Sequence, residues 1–269
     1  MVQNILQNLL LRLNCIAKME REHVFGAGRI WTFCASEKAF VLKIIACIAM
    51  FIDHIGYAIF NGNPSYLNYI GRISFPIFAF QISEGYIHTK NIKNYIIRLT
   101  IFAIISQVPF MLFHSIISND FCLNVIFTLL LGLLSILIYD KINKIIGIIT
   151  TLLFAIIAEL SHCDYGFYGV TIIFLFFVFG KNKLWLSFSY VLATIVHFGY
   201  SILKFYKNGP QVLIAASKYY IPYAICTMLS LVFILSYNKK KGPNTKYLLY
   251  LFYPLHMLLI YGISFVLQN

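Results

Sequence analysis

Acidic residues are scarce: Asp and Glu together number 9 in 269 residues, and charged residues of both signs make up only 11% of the chain. Soluble domains carry about 25% charged residues, so a water-soluble protein is excluded. The 60% hydrophobic content and mean hydropathy of +0.80 describe a polytopic membrane protein instead. Cysteine pairs of metal or disulfide type are also missing. Cys15, Cys34, Cys47, Cys122, Cys163 and Cys226 form no CxxC and no dense framework, and are expected as buried free thiols. There is no H-E-x-x-H, G-x-S-x-G, P-loop or dinucleotide fingerprint, which sets aside a zinc protease, a serine hydrolase and the usual nucleotide-binding folds. No metal is expected. Lys and Arg, by contrast, number 21, for a net charge of +12. In a membrane chain that excess reports loop orientation, and no nucleic-acid partner is expected. Since repeats, linkers and soluble domains are all absent, the activity must lie inside the bundle or at its faces.

A span needs about 20 mostly apolar residues to cross the hydrocarbon core. Candidates run over 41–60, 68–88, 95–114, 121–139, 144–160, 165–180, 184–203, 211–236 and 246–266. The sixth is short, and the second is interrupted by Gly71, Pro76 and Gly85. The expected fold is an all-α transmembrane bundle of about nine spans, in the range eight to ten. Basic turns carry Lys90 with Lys93, Lys141 with Lys144, Lys181 with Lys183, and Lys239 to Lys241; the turns at 61–67, 114–121 and 161–165 lack Lys and Arg. The positive-inside rule then puts the amino terminus in the cytoplasm, with Lys204 and Lys207 as exceptions to the alternation. Residues 1–40 include ILQNLLLRLNCI, too short to span and without a cleavage site, so an interfacial helix or a leader is expected ahead of one membrane domain over 41–266.

Charges at membrane depth cost at least about 2.5 kcal/mol each on insertion scales, so they persist where they pair or work. The first span, VLKIIACIAMFIDHIGYAIF, holds Lys43, Asp53 and His54. Lys43 and His54 are eleven residues apart, about 16 Å along a helix and nearly on the same face. That spacing suits an extended ligand gripped by a cation at its phosphate end while an imidazole acts at the other. Lys43 equally suits snorkelling to the headgroups; a purely structural Asp53–His54 hydrogen bond is the weaker reading, because an apolar residue would serve packing at lower cost. With the expected orientation, Asp53, His54, Arg72, Gln107, Asn124, Glu159, His197 and His256 fall in the outer half, and Lys43, Glu84, His88 and Arg98 in the inner half. Arg72 and Arg98 either contact substrate or neutralise Glu159 and Glu84. Glu159 and Asp164 are either site residues or solvated helix-end groups.

The stretches KIIACIAMFIDHIG (43–56), GRISFPIFAFQISEGYIHT (71–89), NYIIRL (94–99), ISQVPF (105–110), LNVIFTLLLG (123–132), DYGFYGV (164–170) and YLLYLFYPLHMLLI (247–260) together resemble the TraX family of membrane proteins, in order, over about residues 40–262. The resemblance implies amino-terminal acetylation of a pilin-like peptide, and kinship with transmembrane acyltransferases that modify envelope glycans. In that wider group a basic residue, ten arbitrary residues and a histidine mark the first core span, as Lys43 and His54 do here. The implied donor is cytoplasmic acetyl-CoA, with Lys43 and Arg98 at its phosphates. His54 would act as general base, with Asp53 or another acid of the outer half orienting the ring or stabilising the imidazolium. Arg72 or Asn124 would steady the oxyanion, and Glu84, Glu159 and His256 would contact substrate. Amine or hydroxyl acceptors on a glycan, lipid or pilin-like peptide are all compatible, as is an acetyl-His54 intermediate. The implied location is a bacterial cytoplasmic membrane, crossed many times.

A small-solute or proton-coupled transporter is the rival, because buried charges also make ion paths; it leaves the Lys43–His54 spacing unexplained and predicts function without acyl-CoA. A scaffold that only gathers partners explains the basic turns but not an intramembrane Asp-His pair.

Overall fold

The computed structural model describes residues 39–60, 62, 65–239 and 246–268. The leader expected over 1–40 therefore lies outside the described residues, apart from Ala39 and Phe40, which begin the first helix. Ten α-helices follow among the described residues: α1 Ala39–Ile59, α2 Tyr66–Gly71, α3 Ser74–His88, α4 Ile92–His114, α5 Val125–Lys141, α6 Lys144–Leu160, α7 Gly166–Phe179, α8 Lys183–Leu203, α9 Pro210–Leu235 and α10 Lys246–Gln268. A 3-10 turn at Tyr206–Asn208 joins α8 to α9. The all-α class holds, and each apolar stretch read from the sequence contains a helix.

Helix starts are set by asparagine. The side chains of Asn91, Asn124, Asn143 and Asn182 accept amide hydrogens from the first turns of α4, α5, α6 and α8. Each cap is worth about 1 kcal/mol, since an unserved amide at a helix start is costly away from water. The second expected span is two helices, broken at Arg72–Ile73. Its cause is local: a Cβ at Gly71 would overlap the Asp53 carboxylate, so glycine there lets α2 lie directly on α1 before the chain turns into α3.

Burial has the polarity of a membrane protein. On α6 the small residues Gly147, Thr151, Ala155 and Ala158 face inward, while Ile145, Ile149, Leu152 and Ile156 are exposed. Small residues let helices approach closely and large apolar ones meet lipid, the reverse of a soluble core. Helices α1, α4, α8 with its 3-10 extension, and α9 are long and apolar enough to cross a membrane. Helix α7, with 14 residues, is short for a span but central; Tyr168, Val170, Ile172, Ile173 and Phe176 are all buried. It packs against α3, α5, α6 and α8, while α10 packs against α4 and α1. This arrangement places the inward faces of α1, α3, α4 and α10 around a polar interior.

Candidate active site

His54 on α1 meets His256 on α10, from the opposite end of the chain. Their rings stack with centroids 4.9 Å apart, and His54 Nδ1 lies 2.7 Å from His256 Nε2. His256 Nδ1 in turn lies 2.7 Å from the Phe252 carbonyl oxygen. Hydrogen-bond chemistry assigns the protons. A carbonyl oxygen only accepts, so His256 Nδ1 carries hydrogen, and in the neutral ring Nε2 is then a lone pair. His54 Nδ1–H donates to that lone pair, which leaves His54 Nε2 unprotonated. His54 lines a cavity of about 250 Å³ together with Asp53, Tyr57, Arg72, Asp164 and Tyr165. His256 is only 4% exposed and sits behind the His54 ring.

Asp53 is occupied elsewhere. Its Oδ1 accepts from Arg72 Nη2 at 2.8 Å and from Asn68 Nδ2 at 3.1 Å, and Asn68 Nδ2 also donates to the Asp53 carbonyl at 2.9 Å. Adjacent helix residues point about 100° apart, so the expected orientation of the His54 ring by Asp53 gives way to orientation by His256. Arg72 Nε donates to the Asn68 carbonyl, and its guanidinium lies over the Tyr223 ring. The arginine is thus fixed by α1, α2 and α9 at once.

Asp164 enters from the turn between α6 and α7. Leu123 and Cys163 form a parallel bridge, in which Leu123 N–H donates to the His162 carbonyl and Asp164 N–H to the Leu123 carbonyl. Tyr165 adopts φ +63, a conformation a bulky residue enters only when its surroundings hold it there. Its ring stacks on Phe75 at 3.7 Å. The folded-in turn aims Asp164 at the same cavity as His54. Burial pushes its carboxyl up to about 6; Arg72 opposes the rise and Asp53 adds to it.

A second cavity, of about 730 Å³, contains Lys43, Glu84, His88, Lys90 and Arg98 in its lining. Glu84, 3.4 Å from His88, is the carboxylate of this lining against the three cations Lys43, Lys90 and Arg98. Buried polar atoms without a hydrogen-bond partner include Gln81 Nε2, Arg98 Nε and Tyr253 Oη, and all three residues line this cavity. Unserved buried donors are costly in a closed protein and useful to a ligand rich in acceptors. The two cavities adjoin, since Met50, Phe78, Val125 and Tyr253 line both. Lys43 and His54, on one helix, thus lie on opposite sides of that neck.

The remaining expected residues separate. Asn124 is fully buried, with Nδ2 donating to the Ala103 carbonyl and Gln107 Oε1 and Oδ1 accepting from Ile126 N–H; it builds the start of α5 and lines neither cavity. Glu159 is exposed and accepts from Phe167 N–H at the start of α7, so it caps a helix rather than pairing with Arg72. His197 stacks on Tyr168, also away from both cavities. Arg98 does not pair with Glu84; its guanidinium lies near the Tyr95 ring. Sequence reasoning left Asp164 undecided and did not single out Tyr253. Tyr253 stands one helical turn before His256 in YPLHM, a spacing that signals a shared face only once His256 is known to matter. Among the described residues, no group of three or more His, Cys, Asp or Glu side chains is arranged to hold a metal ion.

No solved structure matches the chain significantly. The chain is 31% identical over 244 residues to the probable fimbrial assembly protein FimC, serogroup H1, of Dichelobacter nodosus, covering 86% of this chain and 97% of that protein. The family described as TraX protein matches residues 38–264. With His54, Arg72, Asp164 and His256 all inside that range, this chain is a membrane protein of the TraX family.

Proposed function

We propose that the protein is an acyltransferase of the bacterial cytoplasmic membrane, moving an acetyl group from acetyl-CoA to an amine beyond the bilayer. The observation that carries this reading is the pair of adjoining cavities, one cationic and one holding an unprotonated imidazole nitrogen, with Lys43 and His54 at either end of a single helix. Eleven residues separate them, and the resulting distance of about 16 Å is of the order of a pantetheine arm. Lys43, Lys90 and Arg98 would hold the nucleotide phosphates, which puts the amino terminus and the basic turns in the cytoplasm.

Past the neck, His54 Nε2 takes the proton that the acceptor loses as it attacks the thioester, and His256 holds the ring in the required tautomer. The outer cavity carries Asp53 and Asp164 against Arg72. With both acids ionised, that is one net negative charge, which favours an acceptor arriving as an ammonium over a neutral hydroxyl. A peptide amino terminus of a pilin-like protein fits that preference, and the similarity to a fimbrial assembly protein supports it.

The test uses the purified protein in liposomes with acetyl-CoA and a short peptide bearing a free α-amine. CoA release that requires the peptide, and disappears in His54→Ala, supports the assignment. If no CoA is released with amine or hydroxyl acceptors while labelled solute crosses the liposome, the protein is a transporter instead.

A further inference from the structure

The neck between the cavities is polar at one point. Met50 and Phe78 contribute apolar surface, whereas Tyr253 brings a hydroxyl and Val125 the first amide of α5. Tyr253 is 7% exposed, and its Oη has no hydrogen-bond partner. The Val125 N–H is directed at the same oxygen without reaching hydrogen-bond geometry, which leaves the hydroxyl's own proton without an acceptor. The Asn124 cap serves Ile126 and Phe127, its side chain accepting from Ile126 N–H and its carbonyl from Phe127 N–H, and so leaves the Val125 N–H aside. A helix start also carries partial positive charge. A buried phenol normally finds an acceptor, and here the place where one is wanted is the boundary between the cationic cavity and His54. Tyr253 is joined to the base through α10: its ring centroid lies 5.9 Å from that of His256, which accepts from His54.

Resting on the acyltransferase reading, we infer that Tyr253 is a further catalytic residue, whose hydroxyl, beside the amide end of α5, donates to the thioester carbonyl oxygen as negative charge develops on it. In the step, an acceptor that arrives as an ammonium first releases one proton to solvent at the outer cavity; the lone pair of the resulting neutral amine then attacks the thioester carbon and a C–N bond forms. The carbonyl π pair moves onto oxygen, where it takes the hydrogen bond from Tyr253. Nitrogen loses one proton to His54 Nε2. The carbonyl re-forms as the C–S bond breaks; the departing pair stays on sulfur, and the proton on His54 passes to it, giving free CoA and neutral imidazole. Tyr253 keeps its own proton throughout. A donor placed where charge appears only in the transition state accelerates the step without tightening donor binding.

The test is Tyr253→Phe in the full-length protein, measured for melting temperature, acetyl-CoA dissociation constant and maximal CoA-release rate with an amine peptide. Loss of a single oxyanion donor lowers kcat by about 10²- to 10³-fold. The dissociation constant is expected to stay within about twofold, because ground-state binding does not use the contact. Since the hydroxyl is unpartnered, its removal should leave the melting temperature unchanged or raise it. An unchanged kcat overturns the inference, as does a fall in kcat accompanied by loss of both melting temperature and donor affinity. An active parent with an unaffected variant defeats only the role of Tyr253; an inactive parent defeats the acyltransferase reading and this inference with it.

Discussion

His54 Nδ1 lies 2.7 Å from His256 Nε2, across 202 residues of sequence. Two neutral imidazoles in series, anchored at the Phe252 carbonyl, fix which nitrogen of His54 remains free. The arrangement does the work that a carboxylate does in a serine protease triad, with less negative charge beside the base.

His256→Ala therefore removes the tautomer lock while leaving the donor cavity intact. The expected outcome is a fall in kcat of about 10²-fold or more, within the range general-base catalysis supplies, at constant acetyl-CoA affinity. His256→Gln, whose carboxamide oxygen can accept from His54 Nδ1, should recover part of the rate. Steady-state kinetics of the three forms decide this.

How much of this was legible in the sequence depends on the distance over which residues act. Lys43 and His54 could be related because one helix carries both, and a regular backbone converts spacing into direction. Nothing regular connects residue 54 to residue 256, so His256 could be placed in the outer half but not behind the ring. Asp53 was one candidate orienter although adjacent helix residues point about 100° apart, and its commitment to Arg72 and Asn68 depends on the break after Gly71. The SHCDY turn suited a site loop and a solvated helix end equally well. Its pairing with Leu123 is a contact between loops, which no periodicity encodes.

Lys43→Ala and Arg98→Ala act on the other cavity. Charge-assisted hydrogen bonds are worth about 1.5 to 3 kcal/mol, so each substitution should weaken acetyl-CoA binding roughly tenfold or more. Because neither residue lines the His54 cavity, kcat at saturating donor should change little. Calorimetry and saturation kinetics on the same preparations measure the two effects separately.

The Asp53–Arg72 pair is a packing element as well as a charge source. Asp53 is 8% exposed, and breaking a buried pair by removing one partner costs about 3 to 5 kcal/mol. Arg72→Ala is expected to lower the melting temperature in detergent sharply. Gly71→Ala should do the same without altering any charge, because the added methyl overlaps the Asp53 carboxylate. A thermal scan that finds Gly71→Ala as stable as the parent would contradict the tight α1–α2 approach.

Asp164 gives a pH signature. Its carboxyl, pushed up to about 6 by burial, faces Arg72, Asp53 and the hydroxyls of Tyr57, Tyr165 and Tyr253 in its surroundings. As pH rises through 6 the group ionises, so attraction for an ammonium acceptor grows. The acceptor KM should fall across that interval, and the fall should vanish in Asp164→Asn. A KM profile unchanged by that substitution would show that Asp164 does not attract the acceptor.

The most direct measurement is acetyl-CoA binding to the purified protein by calorimetry, with Lys43→Ala and His54→Ala beside the parent. Phosphate anchoring on one side of the neck and chemistry on the other predict binding by the parent, at least tenfold weaker binding by Lys43→Ala, and nearly unchanged binding by His54→Ala. A folded parent that binds neither acetyl-CoA nor a longer acyl-CoA would contradict the account.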